Sequence, residues 1–449
     1  MAGITCEPNA TREDTQVENL CYERKTHRLK TCATGESSEG LPVPREPGYG
    51  SKRSQDGEAQ RTCSERWAGG PTRTSGDGAL AAPSPQDRQV FLRRRRPSRR
   101  ESGVSSGGGG LLPSPPMTPP NPTDRTALIC GIGGQDGAYL AKHLVDLGYT
   151  VVGTSRDAQA GRFTGLERLG IRDRVTLMSM SLVDFRSTFQ VLKRSNPDEI
   201  YNLAGQSSVG LSFDQPVETF ESIVVGTINL LEAIRMLGTP IRLYNAGSSE
   251  MFGNAGDEPA GEHTVLKPRS PYGIAKATSF WQIAQYREAY GIRAATGILF
   301  NHESPLRPER FVTQKIVAAA CRIARGEQQS LSLGDLSVHR DWGWAPEYVV
   351  AMHRMLQLDA LEDFVIATGQ THSLEDFVAA AFAAVGLDWR RHVVRDPKLV
   401  RPTEIERGRA DTRRATERLG WTARHAMPDV VQMMVEARVA EQPAIRRAA

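Results

Sequence analysis

Thr126-Ala127-Leu128-Ile129-Cys130-Gly131-Ile132-Gly133-Gly134-Gln135-Asp136-Gly137 is the stretch on which the fold turns. Its first five residues are a short apolar run, suited to a parallel strand covered on both faces. Gly131, Gly134 and Gly137 follow at intervals of three. Tyr139, Leu140, His143, Leu144 and Leu147 then recur on one face of a helix. A glycine-rich turn between a buried strand and an amphipathic helix lets backbone N–H groups approach an anion, because no β-carbon stands in the way. Alone, such a turn is also simply a tight turn; its position gives it meaning.

Working outward, Gly148 ends the helix and Tyr149 to Thr154 reads as the next strand. Further strands are expected over 175–178, 199–204, 241–246 and 293–299, with helices over 185–194, 217–237 and 272–290. This alternation predicts an α/β fold: a Rossmann-type doubly wound parallel sheet with ligands beyond the carboxyl ends of its strands. From about Ser304 the pattern becomes irregular, which suggests a smaller C-terminal substrate-binding lobe. The division is then 124–303 for the dinucleotide-binding half and 304–449 mainly for the lobe, with some return of chain to the sheet. No internal repeat is evident.

Residues 1–123 differ sharply from the rest. They are rich in Gly, Ser, Pro, Thr and Arg, and hold 18 Lys/Arg against 14 Asp/Glu, an excess equal to the +4 of the whole chain. Such a segment buries too little apolar surface to offset its ordering entropy, so disorder is expected. The run Arg93-Arg94-Arg95-Arg96-Pro97-Ser98-Arg99-Arg100 reads as a solvated charge run, or as an arm for RNA or an anionic surface. The glycines and serines that follow do not fit a twin-arginine export signal. Met117, just ahead of the first strand, offers an alternative start that would make the preceding residues an upstream extension. The remainder of the chain is neutral, which makes nucleic acid an unlikely partner for it. No stretch is apolar enough to span a membrane. Cys6, Cys21, Cys32 and Cys63 lack metal-ligand spacing, and Cys130 and Cys321 sit in apolar surroundings. A metal site is therefore not expected, and a reducing cytoplasm is the default.

Three features point to chemistry. After the second strand comes Thr154-Ser155-Arg156; a guanidinium there suits a 2′-phosphate, so NADP is favoured over NAD, with Asp157 alongside. Tyr272 and Lys276 share one helix face at i, i+4, where an ammonium is expected to lower the phenol pKa and hold a nicotinamide ribose. Ser248, at a strand end 24 residues earlier, completes the serine, tyrosine and lysine of short-chain dehydrogenases. Glu250 is an extra carboxylate at the same strand end, either a base for carbon-acid chemistry or a capping or surface residue.

Together these residues resemble the GDP-mannose 4,6-dehydratases of the extended short-chain dehydrogenase/reductase superfamily, over 126 to about 435. The resemblance is carried by Gly131–Gly137, Ser248–Gly253, Pro268–Lys276, Gly297–Pro305, Arg340–Val349, Glu362–Gly369 and Arg401–Glu404. It implies a lyase that converts GDP-mannose to GDP-4-keto-6-deoxymannose and water while recycling its NADP. It implies Tyr272 as the base at the C4 hydroxyl, Ser248 as its hydrogen-bonding partner, Glu250 as the C5 base and Lys276 as their support. Ser248 stands where the family usually has threonine. Along the cofactor it implies Gly131, Ile132, Gly133, Gly134, Gln135, Asp136, Gly137, Arg156, Leu203, Ala204, Gly205, Gln206, Ser207, Tyr272, Lys276, His302 and Arg307. At the GDP end it implies Asn301, Arg340, Arg401 and Glu404. Ser181 replaces an acidic residue usual on the adenosine side. The paired-arginine segment of tetrameric members is reduced to Arg156-Asp157, leaving a homodimer or homotetramer open. Two alternatives stay beside this one: an epimerase or 4-keto reductase on the same fold, and a non-catalytic NADP-sensing protein.

Overall fold

β1 (Thr126–Cys130) runs through the middle of a parallel sheet, between β2 (Thr150–Ser155) and β4 (Glu199–Asn202). In this computed structural model the described residues are 124–256 and 258–441. The expectations for 1–123, including the arginine run and Met117, lie outside them. β3 (Val175–Ser179), β5 (Arg242–Ala246), β6 (Arg293–Leu299) and a late strand β9 (Phe364–Ile366) complete seven strands in the order β9-β6-β5-β4-β1-β2-β3. All six pairings are parallel.

The alternation of side chains along β1 explains why both faces are covered. Ala127 and Ile129 enter a core with Leu140, Leu144, Tyr201 and Met352. Leu128 and Cys130 point the other way, to Leu192, Ile200, Leu230 and Leu243. The first core is closed by α1 (Gln135–Asp146) and α6 (Ala345–Gln357), the second by α2 (Phe185–Ser195), α3 (Gly226–Leu237) and α4 (Pro271–Tyr290). Ile129 is fully buried, so truncation to alanine would cost about 2–5 kcal/mol.

Local signals set the element ends. Asp184 caps α2 by accepting from Arg186 N at 2.9 Å, and Asn196 stops it in the left-handed region. β4 is two residues shorter than the sequence suggests. Leu203 N still donates to Cys130 O, but Gly205 at φ +120° turns the chain out of the sheet. The helix expected over 217–237 is broken into Pro216–Phe220, a π-helical turn Glu221–Val225, and α3. Local satisfaction of the Thr227 hydroxyl by Ile223 O accompanies that turn; π turns often adjoin functional sites.

Beyond β6, the strand β7 (Asn301–Glu303) pairs with β8 (Trp342–Trp344). α5 (Val312–Ala324), α7 (Leu374–Ala383) and α8 (Met427–Ala440) build a separate core around Ile316, Trp342, Phe377, Phe382 and Met434. Among the described residues, no helix is long and apolar enough to cross a membrane.

Candidate active site

The turn after β1 is built for close approach. Gly131 has φ +86°, and a β-carbon on it would lie 3.0 Å from the Ala204 backbone. One on Gly137 would lie 2.4 Å from Gly131 O. Gly134 is the N-cap of α1 and supplies no side-chain cap, so first-turn N–H groups are left for an anion. Ile132 does not face this space: it is fully buried and packs against Gly153. Arg156, past the end of β2, is 3.7 Å from Glu218 and largely exposed.

Beyond β4, Gln206 N donates to Ser222 Oγ at 3.1 Å, and its amide donates to Thr219 Oγ1 at 3.2 Å. This fixes the 203–207 loop against the segment before α3. Beyond β5, Ser248 Oγ accepts from Glu250 N at 3.3 Å. α4 starts where Ser270 Oγ accepts from Gly273 N at 3.0 Å, with Pro271 in its first turn. Tyr272 and Lys276 thereby face Ser248, whose hydroxyl is a hydrogen-bond partner of the phenol. Lys276 Nζ donates to Ala246 O at 2.7 Å and lies 5.8 Å from the Tyr272 ring centre.

The electrostatics correct one expectation. Burial pushes the Tyr272 phenol up to about 12, with the Ser248 hydrogen bond opposing it. The lysine does not pull it down. Burial has itself brought Lys276 down to about 8, and its ammonium is turned to a carbonyl. Burial also raises the Glu250 carboxyl, against the pull of Arg340 and Arg401. Glu250 is thus biased toward accepting a proton, as a base needs.

A cavity of about 410 Å³ brings most of the sequence-predicted residues together. Ser248, Glu250, Tyr272 and Lys276 form one wall, and Asp136, Leu203 and Ser207 another. Asn301, His302 and Arg307 follow from β7, and Arg340, Arg401 and Glu404 close the far end. Glu404 Oε1 accepts from Arg340 at 2.7 Å and from Arg401 at 3.0 Å, so the two guanidiniums share one carboxylate. Arg307 stacks 3.7 Å over Phe311, with Nε 3.3 Å from buried Glu303. Gly131, Ile132, Gly133, Gly134, Gln135, Gly137, Arg156, Ala204, Gly205 and Gln206 are not in its lining. Gln135 instead ties the turn to β7, donating to His302 O and accepting from Ser304.

Sequence reasoning missed Arg310 and Lys315, two more cations on the wall. The signal was their place around the start of α5, directly after the Asn301–Pro305 motif. Glu303, on the same wall, was missed because a single carboxylate at the end of the short strand β7 carries no pattern of its own. Among the described residues no group of three or more metal-ligating side chains is found.

A sequence model of the GDP-mannose 4,6 dehydratase family matches residues 128–434. GDP-mannose 4,6 dehydratase 1 of Arabidopsis thaliana is 42% identical over 322 residues, covering 70% of this chain and 89% of that protein. Among solved structures, RMD of Pseudomonas aeruginosa complexed with NADPH superposes with a TM-score of 0.60 at 21% identity, over 71% of this chain and 98% of that one. The dTDP-glucose 4,6-dehydratase of Bacillus anthracis in complex with NAD does so at 0.61 and 17%, over 70% and 97%.

Proposed function

This chain belongs to the GDP-mannose 4,6-dehydratase family, and we propose that it removes water from GDP-mannose to give GDP-4-keto-6-deoxymannose, with NADP as its recycled cofactor. The observation that carries the reading is Glu250 in the same cavity as Ser248, Tyr272 and Lys276. An epimerase or 4-keto reductase has no need of that carboxylate.

The residues present fit a dinucleotide: the uncapped turn of α1 and the cradle that a β-carbon at Gly131 or Gly137 would fill. In this reading the 131–137 backbone holds the pyrophosphate, Arg156 the 2′-phosphate, and Leu203 to Ser207, Lys276, His302 and Arg307 the remainder. The bound nicotinamide supplies a two-electron acceptor for C4 and a donor for C6. Tyr272 removes the O4 proton while Ser248 hydrogen-bonds the same oxygen. The ketone so formed acidifies C5–H, which Glu250 removes before handing a proton to the departing C6 hydroxyl. Lys276 keeps positive charge beside the phenol. Arg340, Arg401, Glu404 and Asn301 take the GDP end, where two guanidiniums suit a pyrophosphate and a carboxylate suits hydroxyl groups.

The division into a cofactor half over 124–303 and a substrate lobe from 304 onward belongs to the same proposal. So does a homo-oligomer, supported by Val217, Ile274 and Trp281, which are 69, 44 and 61% exposed. A reducing cytoplasm suits the two buried free thiols, Cys130 and Cys321. Incubation of GDP-mannose with the enzyme and trace NADP⁺ tests the reaction. Loss of one water without net cofactor consumption is expected; a product that keeps its C6 oxygen overturns the reading.

A further inference from the structure

A second, far smaller cavity shares Ser249, Glu250 and Arg340 with the large one. About 10 Å³ of it is open to the centre of a water molecule, which is room for about one water. Phe300 and Ala260 give it apolar sides, and the exposed Arg407 is among its walls. Its lining also includes the polar residues Ser249, Glu250, Arg340 and Arg409, enough to hold a water at two or three points. The two cavities therefore adjoin along Ser249, Glu250, Phe300 and Arg340, one on the substrate's side and one with the exposed Arg407 in its wall.

The reaction proposed above, on which this inference rests, makes such a position consequential. Two protons leave the sugar, from O4 to Tyr272 and from C5 to Glu250. Two return, one to the departing C6 hydroxyl and one to C5. The electron pair removed at C4 is restored at C6, so no net redox change occurs. Once Glu250 has given its proton to the C6 hydroxyl and water has formed, the carboxylate must be protonated again before C5 is. Tyr272 meanwhile holds a proton it must release. One proton therefore enters at Glu250 while one leaves at Tyr272, and charge is conserved. With sugar in the large cavity, the substrate's side of Glu250 is covered.

We propose that the small cavity holds one water that returns a solvent proton to Glu250 between elimination and reprotonation of C5. Its occupancy is governed by Gly408, another of its wall residues. A β-carbon on Gly408 would meet Phe300 Cε1 at 3.8 Å and Arg340 Cδ at 3.9 Å, both ordinary contacts with cavity walls. A larger side chain at 408 therefore enters the water's space without straining the backbone.

The test is a single turnover of GDP-mannose by the NADP-loaded enzyme in D₂O, with deuterium at C5 of the product read by NMR. The native enzyme should place solvent deuterium at C5. In Gly408→Val the displaced water leaves Glu250 to trade protons with the trapped eliminated water, which carries substrate hydrogen. C5 protium should rise about fivefold and dehydration slow about tenfold, equivalent to about 1.4 kcal/mol on the barrier. Gly408→Ala, whose added carbon fits, should shift C5 labelling in the same direction and serves if the valine variant fails to fold. Native C5 labelling in the folded variants overturns the water site while leaving the dehydratase reading intact. Failure of the native enzyme to release water overturns both.

Discussion

Asp136 Oδ2 lies 2.9 Å from His302 Nε2, joining the first turn of α1 to β7 across 166 residues of sequence. His302 Nδ1 is 2.7 Å from Phe300 O. A carbonyl only accepts, so Nδ1 carries a hydrogen, and the carboxylate favours a second one on Nε2. Burial works against both charges. The pairing outweighs it, holding Asp136 down at about 2 and raising the His302 pKa. The ring also stacks on Tyr348 at 4.5 Å between centres. The cofactor turn is thereby held against the strand that carries Asn301 and leads to Arg307.

Breaking this pair should cost stability in a defined pH window. Asp136 is depressed when folded, so its contribution exists above the ordinary carboxylate range and fades as pH falls toward 2. His302 is raised when folded, so its contribution is complete below about 6.5 and is lost as pH rises through the raised value. Asp136→Asn should therefore lose about 3 kcal/mol, most fully between about pH 4 and 6.5. Urea unfolding of both proteins across pH 3–9 checks this; a difference that does not vary with pH would contradict it.

Turnover should follow a bell-shaped pH profile. Glu250 must be ionised to take the C5 proton, and burial lifts its pKa above the usual 4.5, which sets the acid limb. Lys276 must stay charged to hold the nicotinamide ribose, and burial brings it to about 8, which sets the alkaline limb. Glu250→Gln should abolish the acid limb and lower kcat about 10³-fold while NADP still binds. Stopped-flow turnover over pH 4–10 measures both.

Much of this was legible in the sequence because it is local. Gly131, Gly134 and Gly137 sit in one turn, Tyr272 and Lys276 on one helical turn, and Ser248 and Glu250 at one strand end. What was not legible comes from contacts between distant elements. Nothing in the sequence pairs Asp136 with His302, or ties Gln135 to Ser304. The phenol pKa was misjudged for the same reason: spacing reports that a lysine is near, while burial, which outweighs it, depends on the whole fold. The π turn at 221–225 was missed because the apolar pattern continues through it.

Arg156 should decide between NADP and NAD. Its guanidinium is largely exposed and only loosely paired with Glu218 at 3.7 Å, so it can turn to a 2′-phosphate at little cost. Arg156→Ala should weaken NADP binding about tenfold and leave NAD nearly unchanged. Titration calorimetry with both dinucleotides measures the two affinities; equal losses for both would remove Arg156 from the selection.

Lys276 should trade stability for function. Its charge is held in a site where burial alone moves its pKa from 10.5 to about 8, so the folded state binds that proton less tightly than the unfolded chain does. Stability of the native enzyme should therefore increase as pH rises from about 8 to 10.5, because the unfolded chain loses its proton later. Lys276→Met keeps the aliphatic length, removes the buried charge, and leaves Ala246 O without its 2.7 Å donor. The relieved desolvation should exceed that lost hydrogen bond and raise stability by about 1–2 kcal/mol at pH 7. Turnover should nevertheless fall at least about 10²-fold, because the ammonium that holds the nicotinamide ribose in place is then gone. Melting temperature and kcat measured on the same preparation decide the matter. A variant less stable than the native protein would mean that the Ala246 contact, and not the cost of burying the ammonium, dominates at this position.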